Sequence, residues 1–362
     1  MIGRYALRSP RTARTTWPDK RSSTGITWVS RGAGMASIFV YEWISGGNAR
    51  AAGGATDPLL PHGLAMRNAI VADLLGVAGS AVTCATGAQP GCALPGLAPD
   101  AARTTTLAAA VPHPNEPATD FVARVAKRHD AAWIVAPESG AVLAHLCDAV
   151  DPKRWVGCQA AGIRVASSKR ATLKALARRD LPTPLKLQDA HRGRWVVKPD
   201  DGAGAVATIV HADCDAALVD LQHRHKAGAT ATLEPFVEGE ALSIAMLVGA
   251  GFHQPLAFNR QRIAIDTATG MLDFEGVDVA AVDMARDPRA ARLHTLALDV
   301  VRAIPGLAGF VGIDLVWHAT LGPFVIEVNP RVTSAYVGLS QRLGRNVAEQ
   351  VLLLHGMAAA GS

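Results

Sequence analysis

The residues best suited to chemistry lie on two apolar runs, Ile313-Asp314-Leu315-Val316 and Phe324-Val325-Ile326-Glu327-Val328-Asn329-Pro330-Arg331. Read as strands, they place Asp314 inside one apolar stretch and set Glu327 and Asn329 on one face of the other. Three side-chain oxygens on neighbouring strands suit a hard divalent cation such as magnesium, which takes oxygen ligands and keeps phosphate oxygens in its shell. Arg331, two residues further on, carries a planar fork able to hold a phosphate or a carboxylate. The plainer alternative is a structural Glu327–Arg331 ion pair, which leaves Asp314 and Asn329 without a role.

Two lysines and two glutamates extend the pattern. Lys169 opens a helix. Lys198 ends the apolar run Trp195-Val196-Val197, where an ammonium is costly to bury without a partner. Behind it comes Pro199-Asp200-Asp201-Gly202-Ala203-Gly204, small enough for backbone N–H groups to close over a phosphate chain. A surface turn with a snorkelling lysine fits that loop equally well. In Leu233-Glu234-Pro235-Phe236-Val237-Glu238-Gly239-Glu240, two acids bracket an apolar segment. The segment offers a flat wall and backbone edges to an adenine, and Glu240 offers an acceptor to ribose hydroxyls. A solvated acidic hairpin is the competing reading. Arg260 and Arg262 alternate along a predicted strand, where either could face a phosphate or a carboxylate. Ser45, Gly46 and Gly47 follow the first strand, a place where α/β sheets bind ligands.

The elements that must position these groups fall into two patterns. Up to residue 156, strands predicted at 36–43, 79–85, 104–111 and 131–137 alternate with helices near 62–75, after Pro117, and around Leu143, Leu146 and Val150. That alternation predicts a parallel sheet with crossover helices. Beyond residue 157, strand–loop–strand units dominate: 194–210, 231–251 joined through Gly239, and a hairpin over 309–331 turning at Leu321-Gly322-Pro323. Helices are predicted at 167–179, 290–304 and 345–355.

Composition narrows the class. The 362 residues include 36 Lys and Arg against 31 Asp and Glu, a net charge of +5. Residues 1–34 hold seven of those bases and one of the acids; without them 29 bases face 30 acids, a net charge of −1. The basic character therefore belongs to the tail and implies no nucleic-acid partner. The tail is expected to be disordered or a non-native extension ahead of Met35, with a transit peptide as the alternative. No apolar run is long enough for a membrane helix. The five cysteines are odd in number and form no C-x-x-C pair, as expected of reduced thiols in a cytoplasmic protein. The twelve histidines show no metal spacing, and His62, His113 and His191 read as surface residues.

The order lysine, lysine with glycine loop, glutamate pair, aspartate, and Glu-x-Asn-x-Arg resembles the ATP-grasp superfamily over about residues 157–355. Further features are YEWISGG (41–47), APESGAVLAHL (136–146), SSKRATL (167–173), KPDDGAG (198–204), FNRQRI (258–263) and IEVNPRVT (326–333). The resemblance implies an α/β N-terminal parallel-sheet domain (35–156) followed by a two-subdomain α+β ATP-grasp fold (157–237 with the lid, 238–355), then a tail at 356–362. It implies an ATP-dependent ligase that activates a carboxylate as an acyl phosphate and transfers it to an amine. The features stand nearest to enzymes that join glutamate to tyramine or a related amine in one-carbon (methanofuran-like) cofactor biosynthesis. Another amino-acid or dipeptide ligase, or a non-catalytic nucleotide-binding protein, remains the alternative. Carried over by motif, Lys169 and Lys198 bind phosphates, and Asp201, Gly202 and Gly204 belong to the lid. Glu234, Phe236 and Val237 form the adenine hinge, and Glu240 holds the ribose. Asp314, Glu327 and Asn329 bind magnesium or manganese. Arg331, Arg260 and Lys198 serve catalysis, while Ser45, Gly46, Gly47 and Arg262 meet substrate. Small-molecule acid and amine are the implied partners, with no nucleic acid or membrane, and a homodimer stays open. Two features depart from the pattern. The Gly/Ala-rich segment 48–61 carries no readable function, and Ser168 stands where an acid often precedes the first lysine.

Overall fold

The described residues of the chain form three sheets. The computed structural model describes residues 36–48, 57–87, 91–94, 106–202 and 204–357. The expected tail at 1–34, most of the segment 48–61, Ala203 and the last five residues lie outside the described residues. Among those described, no helix is long and apolar enough to cross a bilayer.

The first sheet contains strands β1 (Ala36–Glu42), β2 (Ser80–Ala85), β3 (Thr106–Ala110), β4 (Ala131–Val135) and β5 (Trp155–Val156), all parallel, in the order β3-β2-β1-β4-β5. Helices α1 (Leu60–Leu75), α2 (Ala118–Ala126) and α3 (Val142–Ala149) make its crossovers. Strands β1 and β4 are buried almost throughout, as their unbroken Val, Ile and aromatic content requires of a sheet covered on both faces. The strand order reverses between β1 and β4. Such a switch point opens a crevice at the carboxyl ends of the strands. There β1 runs into Ser45-Gly46-Gly47 and β4 into Pro137-Glu138-Ser139-Gly140.

Helices α4 (Ala160–Ala166) and α5 (Lys169–Ala177) lead into a small antiparallel sheet, β6 (Trp195–Pro199), β7 (Ile209–His211) and β8 (Ala231–Pro235), ordered β7-β6-β8. Helix α6 (Cys214–Lys226) covers it. The third sheet is antiparallel and five-stranded: β9 (Glu240–Gly249), β10 (Phe252–Ile265), β11 (Leu272–Val282), β12 (Gly309–His318) and β13 (Gly322–Asn329), ordered β11-β10-β9-β12-β13. Helix α7 (Ala290–Ala303) packs on it, and α8 (Leu339–Leu343) and α9 (Val347–Leu354) follow β13.

The first and third sheets share their cores. Phe39, Tyr41 and Ile134 belong to the same apolar cluster as Ile244, Ile313 and Val325, and Ile38 and Val40 to the same cluster as Leu247 and Phe310. Among the described residues the apolar cluster of the small sheet is Trp195, Val197, Ala217 and Ala231, and Val210 of β7 is buried as well.

The two strands predicted over 231–251 do meet at Gly239, but they are not a hairpin. Strand β8 closes the small sheet, and β9 lies at the centre of the large one. Gly239 makes the crossing with φ +154°, and a Cβ there would sit 2.2 Å from the Trp317 carbonyl oxygen. Gly239→Ala is therefore expected to lose about 3 kcal/mol of stability. Thermal unfolding checks this, with a Tm lower by about 6 °C or more.

Candidate functional site

The first turn of α5 is tied to the loop after β6. Ser168 caps the helix, its Oγ accepting from the Ala171 amide at 3.0 Å and donating to Asp200 Oδ2 at 2.7 Å. Asp200 also accepts from the Arg170 amide at 2.9 Å, and its carbonyl from the Lys169 amide at 2.8 Å. Glycine-loop and helix N-terminus thus form one unit, a geometry suited to anions. Lys169 Nζ leaves this unit for Glu327 Oε2 on β13, 2.9 Å away, and also donates to the Gly202 carbonyl. Lys198 Nζ, on β6, meets Glu234 Oε2 of β8 at 2.9 Å; the two side chains are 6% and 4% exposed. Lys198 faces Thr232 across the strands and Val196 faces Glu234, so lysine and glutamate are diagonal neighbours on one face.

Asp314 and Glu327 are direct cross-strand partners on β12 and β13. Asp314 accepts from Asn329 Nδ2 at 3.0 Å and from Gln261 Nε2 of β10 at 3.1 Å. Burial, then the charge of Glu327, pushes the Asp314 carboxyl up to about 7. Burial also works to raise Glu327, but Lys169, through charge and hydrogen bond, followed by Lys198 and Arg331, holds it below the usual carboxylate range. Burial alone would depress Lys169, and Glu327 outweighs it, leaving the ammonium above its ordinary value. Among the described residues no group of three or more His, Cys, Asp or Glu is arranged to hold a metal. Asp314, Glu327 and Asn329 offer two carboxylates and one amide oxygen. This donor set fits a hard cation. The crowding of two buried carboxylates is what a divalent charge would relieve.

Arg331 does not pair with Glu327. Its Nε and Nη2 donate to Glu138 Oε1 and Oε2 at 2.9 and 2.8 Å, and Nη1 donates to the Val332 carbonyl at 3.2 Å. The side chains are 11% and 6% exposed. Burial acts to lower the Arg331 guanidinium, and the Glu138 charge overrides it, leaving it raised. The edge expected to fork a phosphate or carboxylate is therefore occupied, leaving the Nη1–Nη2 end. The residues next to Glu138 reach the glycine loop: Ser139 Oγ donates to the Asp201 carbonyl at 3.0 Å, and the Gly140 amide to Asp201 Oδ2 at 2.8 Å.

Some candidates lie elsewhere. Gln261 points to Asp314, so its neighbours Arg260 and Arg262 project from the opposite face of β10. Arg260 Nε pairs with Glu240 Oε1 at 2.6 Å, and Arg262 pairs with Asp278 across to β11. Glu240 also binds Arg289; burial acts to raise its carboxyl, and the two arginines pull it below the ordinary range. The Phe236 amide donates to the Arg194 carbonyl at 2.9 Å, and the Arg194 guanidinium stacks on the Phe236 ring at 4.3 Å. Ser45 is buried, and its amide and Oγ donate to Glu42 Oε2 at 2.8 and 2.7 Å. Gly46 is required beneath Tyr41, whose ring carbon lies 2.7 Å from where a Cβ would be. Gly47 turns the chain at φ +137°. These three residues shape the end of β1 rather than presenting free polar groups. Glu138 and Gln261 escape a reading based on residue types alone. Glu138 carries one signal, an acid immediately after a buried strand and before a glycine. Gln261 carries none beyond its strand position.

Residues 166–335 match the family described as an ATP-grasp domain, and residues 93–163 the one described as a pre ATP-grasp 3 domain. The chain is similar to tyramine–L-glutamate ligase of Methanocaldococcus jannaschii, 28% identical over 212 residues, which make up 58% of each chain. The Methanocaldococcus fervens enzyme of the same name is 27% identical over 58% of this chain and 61% of its own. Each match thus spans less than two thirds of the relative. Among solved structures, the fold resembles D-alanine–D-alanine ligase from Bacillus anthracis (TM-score 0.58, 15% identity, 89% of this chain and 97% of that one). It also resembles L-amino acid ligase from Bacillus licheniformis (TM-score 0.60, 18% identity, 89% and 74%).

The buried Lys198–Glu234 pair yields a stability test. Lys198→Met alone strands a buried carboxylate and is expected to cost about 3 kcal/mol, whereas Lys198→Met with Glu234→Leu restores most of that loss. Urea unfolding of the two variants checks the ordering.

Proposed function

We propose that this chain, which belongs to the ATP-grasp family, is an ATP-dependent carboxylate–amine ligase that forms an amide through an acyl phosphate. The observation that carries the reading is the contact of Lys169 with Glu327, set beside Asp314 and against the carbonyl of Gly202. Cation and carboxylate neutralise each other where a metal–triphosphate would bring both opposite charges at once. On binding, Lys169 turns from Glu327 to phosphate oxygens, and Lys198 from Glu234. The first exchange leaves Glu327 matched by the cation; in the second, Glu234 gives up its lysine and accepts hydrogen bonds from the adenine edge instead.

Asp201, Gly202 and Gly204 cover the phosphates and exclude water, which would otherwise hydrolyse the activated acid. Glu234, Phe236 and Val237 take the adenine. With the Phe236 amide held by Arg194, the Val237 amide is the donor offered to the base. Asp314, Glu327 and Asn329 would hold magnesium or manganese. A cation held there would supply positive charge to offset that of the phosphoryl group being transferred. Arg331 presents its remaining end to the substrate carboxylate and to the oxyanion that forms when the amine attacks. No side chain serves as a covalent nucleophile, so the rate comes from positioning and charge. The same reading assigns residues 35–156 to an N-terminal domain, 157–237 to the lid-bearing subdomain and 238–355 to the large one.

The names of the two matched ligases support glutamate as the acid and tyramine or a related amine as the acceptor; a place in one-carbon cofactor assembly in the cytoplasm is part of the same proposal. The test is ADP release across a panel of acids and amines, with and without magnesium. Wild type is expected to respond most to glutamate with an aromatic ethylamine. Glu327→Gln is expected to lose at least about a thousandfold in turnover while unfolding cooperatively. Near-normal turnover in that variant refutes the metal assignment. Nucleotide binding with no amine-dependent ADP release anywhere in the panel refutes the ligase reading.

A further inference from the structure

The turn at 138–140 touches both halves of the site at once. It leaves the carboxyl end of β4, at the reversal of strand order in the first sheet. On one side the Glu138 carboxylate grips the Arg331 guanidinium by two hydrogen bonds, 2.9 and 2.8 Å. On the other, Ser139 and Gly140 grip the carbonyl and carboxylate of Asp201 at 3.0 and 2.8 Å. The next residue, Gly202, receives Lys169, and Lys169 meets Glu327, four residues before Arg331. The contacts close a ring: Arg331, Glu138, the 139–140 backbone, Asp201, Gly202, Lys169, Glu327. All three sheets contribute to it. The turn carries backbone strain that a purely connecting segment has no reason to keep: Gly140 and Ala141 are consecutive left-handed residues, at φ +61° and +57°, and Ala141 has a side chain. Such conformations persist where surrounding contacts enforce them.

We propose that the 138–140 turn is a positioning element that couples the two substrates. Glu138 fixes which edge of Arg331 faces the acid, and through Ser139 and Gly140 the same turn seats the phosphate loop. The inference rests on the ligase reading given above. Occupying Arg331 correctly and seating Asp201 are then one event, so nucleotide is held best when the arginine is in register. The N-terminal domain would serve here as the joint between the two nucleotide-clasping subdomains.

The test is the equilibrium affinity for Mg-ADP, measured by titration calorimetry on the full chain, which needs no turnover. Glu138→Gln keeps the side chain's shape and touches Arg331 but no residue of the phosphate loop. It is expected to weaken Mg-ADP binding about fivefold to tenfold, within the usual range of coupling between sites. Asp201→Asn is expected to weaken it similarly. The double variant should lose little more than the larger single loss, because both break one ring. Affinity unchanged in Glu138→Gln, or losses that multiply in the double variant, overturn the coupling while leaving the ligase reading intact. Failure of wild type to bind Mg-ADP sinks the reading beneath it instead. Should Glu138→Gln not fold, Ser139→Ala, which removes one hydrogen bond to the Asp201 carbonyl, takes its place. It is expected to weaken Mg-ADP about twofold to threefold with Tm unchanged; unchanged affinity there likewise overturns the proposal.

Discussion

Lys169 and Glu327 come from different elements, one from the first turn of α5 and the other from the far end of β13, and their contact depends on where the chain can afford to hide charge. The cleft buries lysines, arginine and acids together. An isolated charge there would be prohibitive, and the chain meets this by pairing: Lys169 with Glu327, Lys198 with Glu234, Arg331 with Glu138. Each pair joins separate strands or separate sheets. The same bonds that pair these charges therefore fix how the pieces of the fold approach one another.

Asp314 is the group this scheme leaves least satisfied. It has amide donors from Gln261 and Asn329 but no cation of its own, and it faces Glu327 across the strand pair. A buried carboxyl held by neutral donors beside a like charge remains poised for a positive partner, and this connects the folded core to the proposed chemistry.

Much of the fold was legible because its signals are local. Unbroken apolar runs marked β1, β4 and the β12–β13 hairpin, and the charged residues stood out only against that background. Helix α6 was missed because its one buried residue is Ala217, so it shows no apolar stripe. Strand β11 was missed because most of its side chains lie partly or fully exposed at the sheet edge. In the site, Lys169, Lys198, Asp314, Glu327 and Asn329 were readable as charges or amides within apolar or glycine-rich contexts. What could not be read was partnership. Glu138 lies 193 positions from Arg331, and only the folded chain reveals that it, not Glu327 or a ligand, takes the guanidinium edge. Arg260 and Arg262 share the face of β10 that meets Glu240 and Asp278, while Gln261 between them meets Asp314. Alternation along a strand states that two neighbours face opposite ways without stating which of them faces the cleft.

The thin core of the small sheet has a consequence for how the molecule loosens. A cluster of four buried side chains backs β6, β7 and β8, whereas the other two sheets draw on shared clusters many times larger. Opening events that expose the backbone should begin in this lobe, with its amide protons trading with solvent well before those of β1 or β12. A nucleotide clasped against β8 would tie the weakest part of the protein to the strongest, so occupancy would register as slowed exchange across the whole lobe.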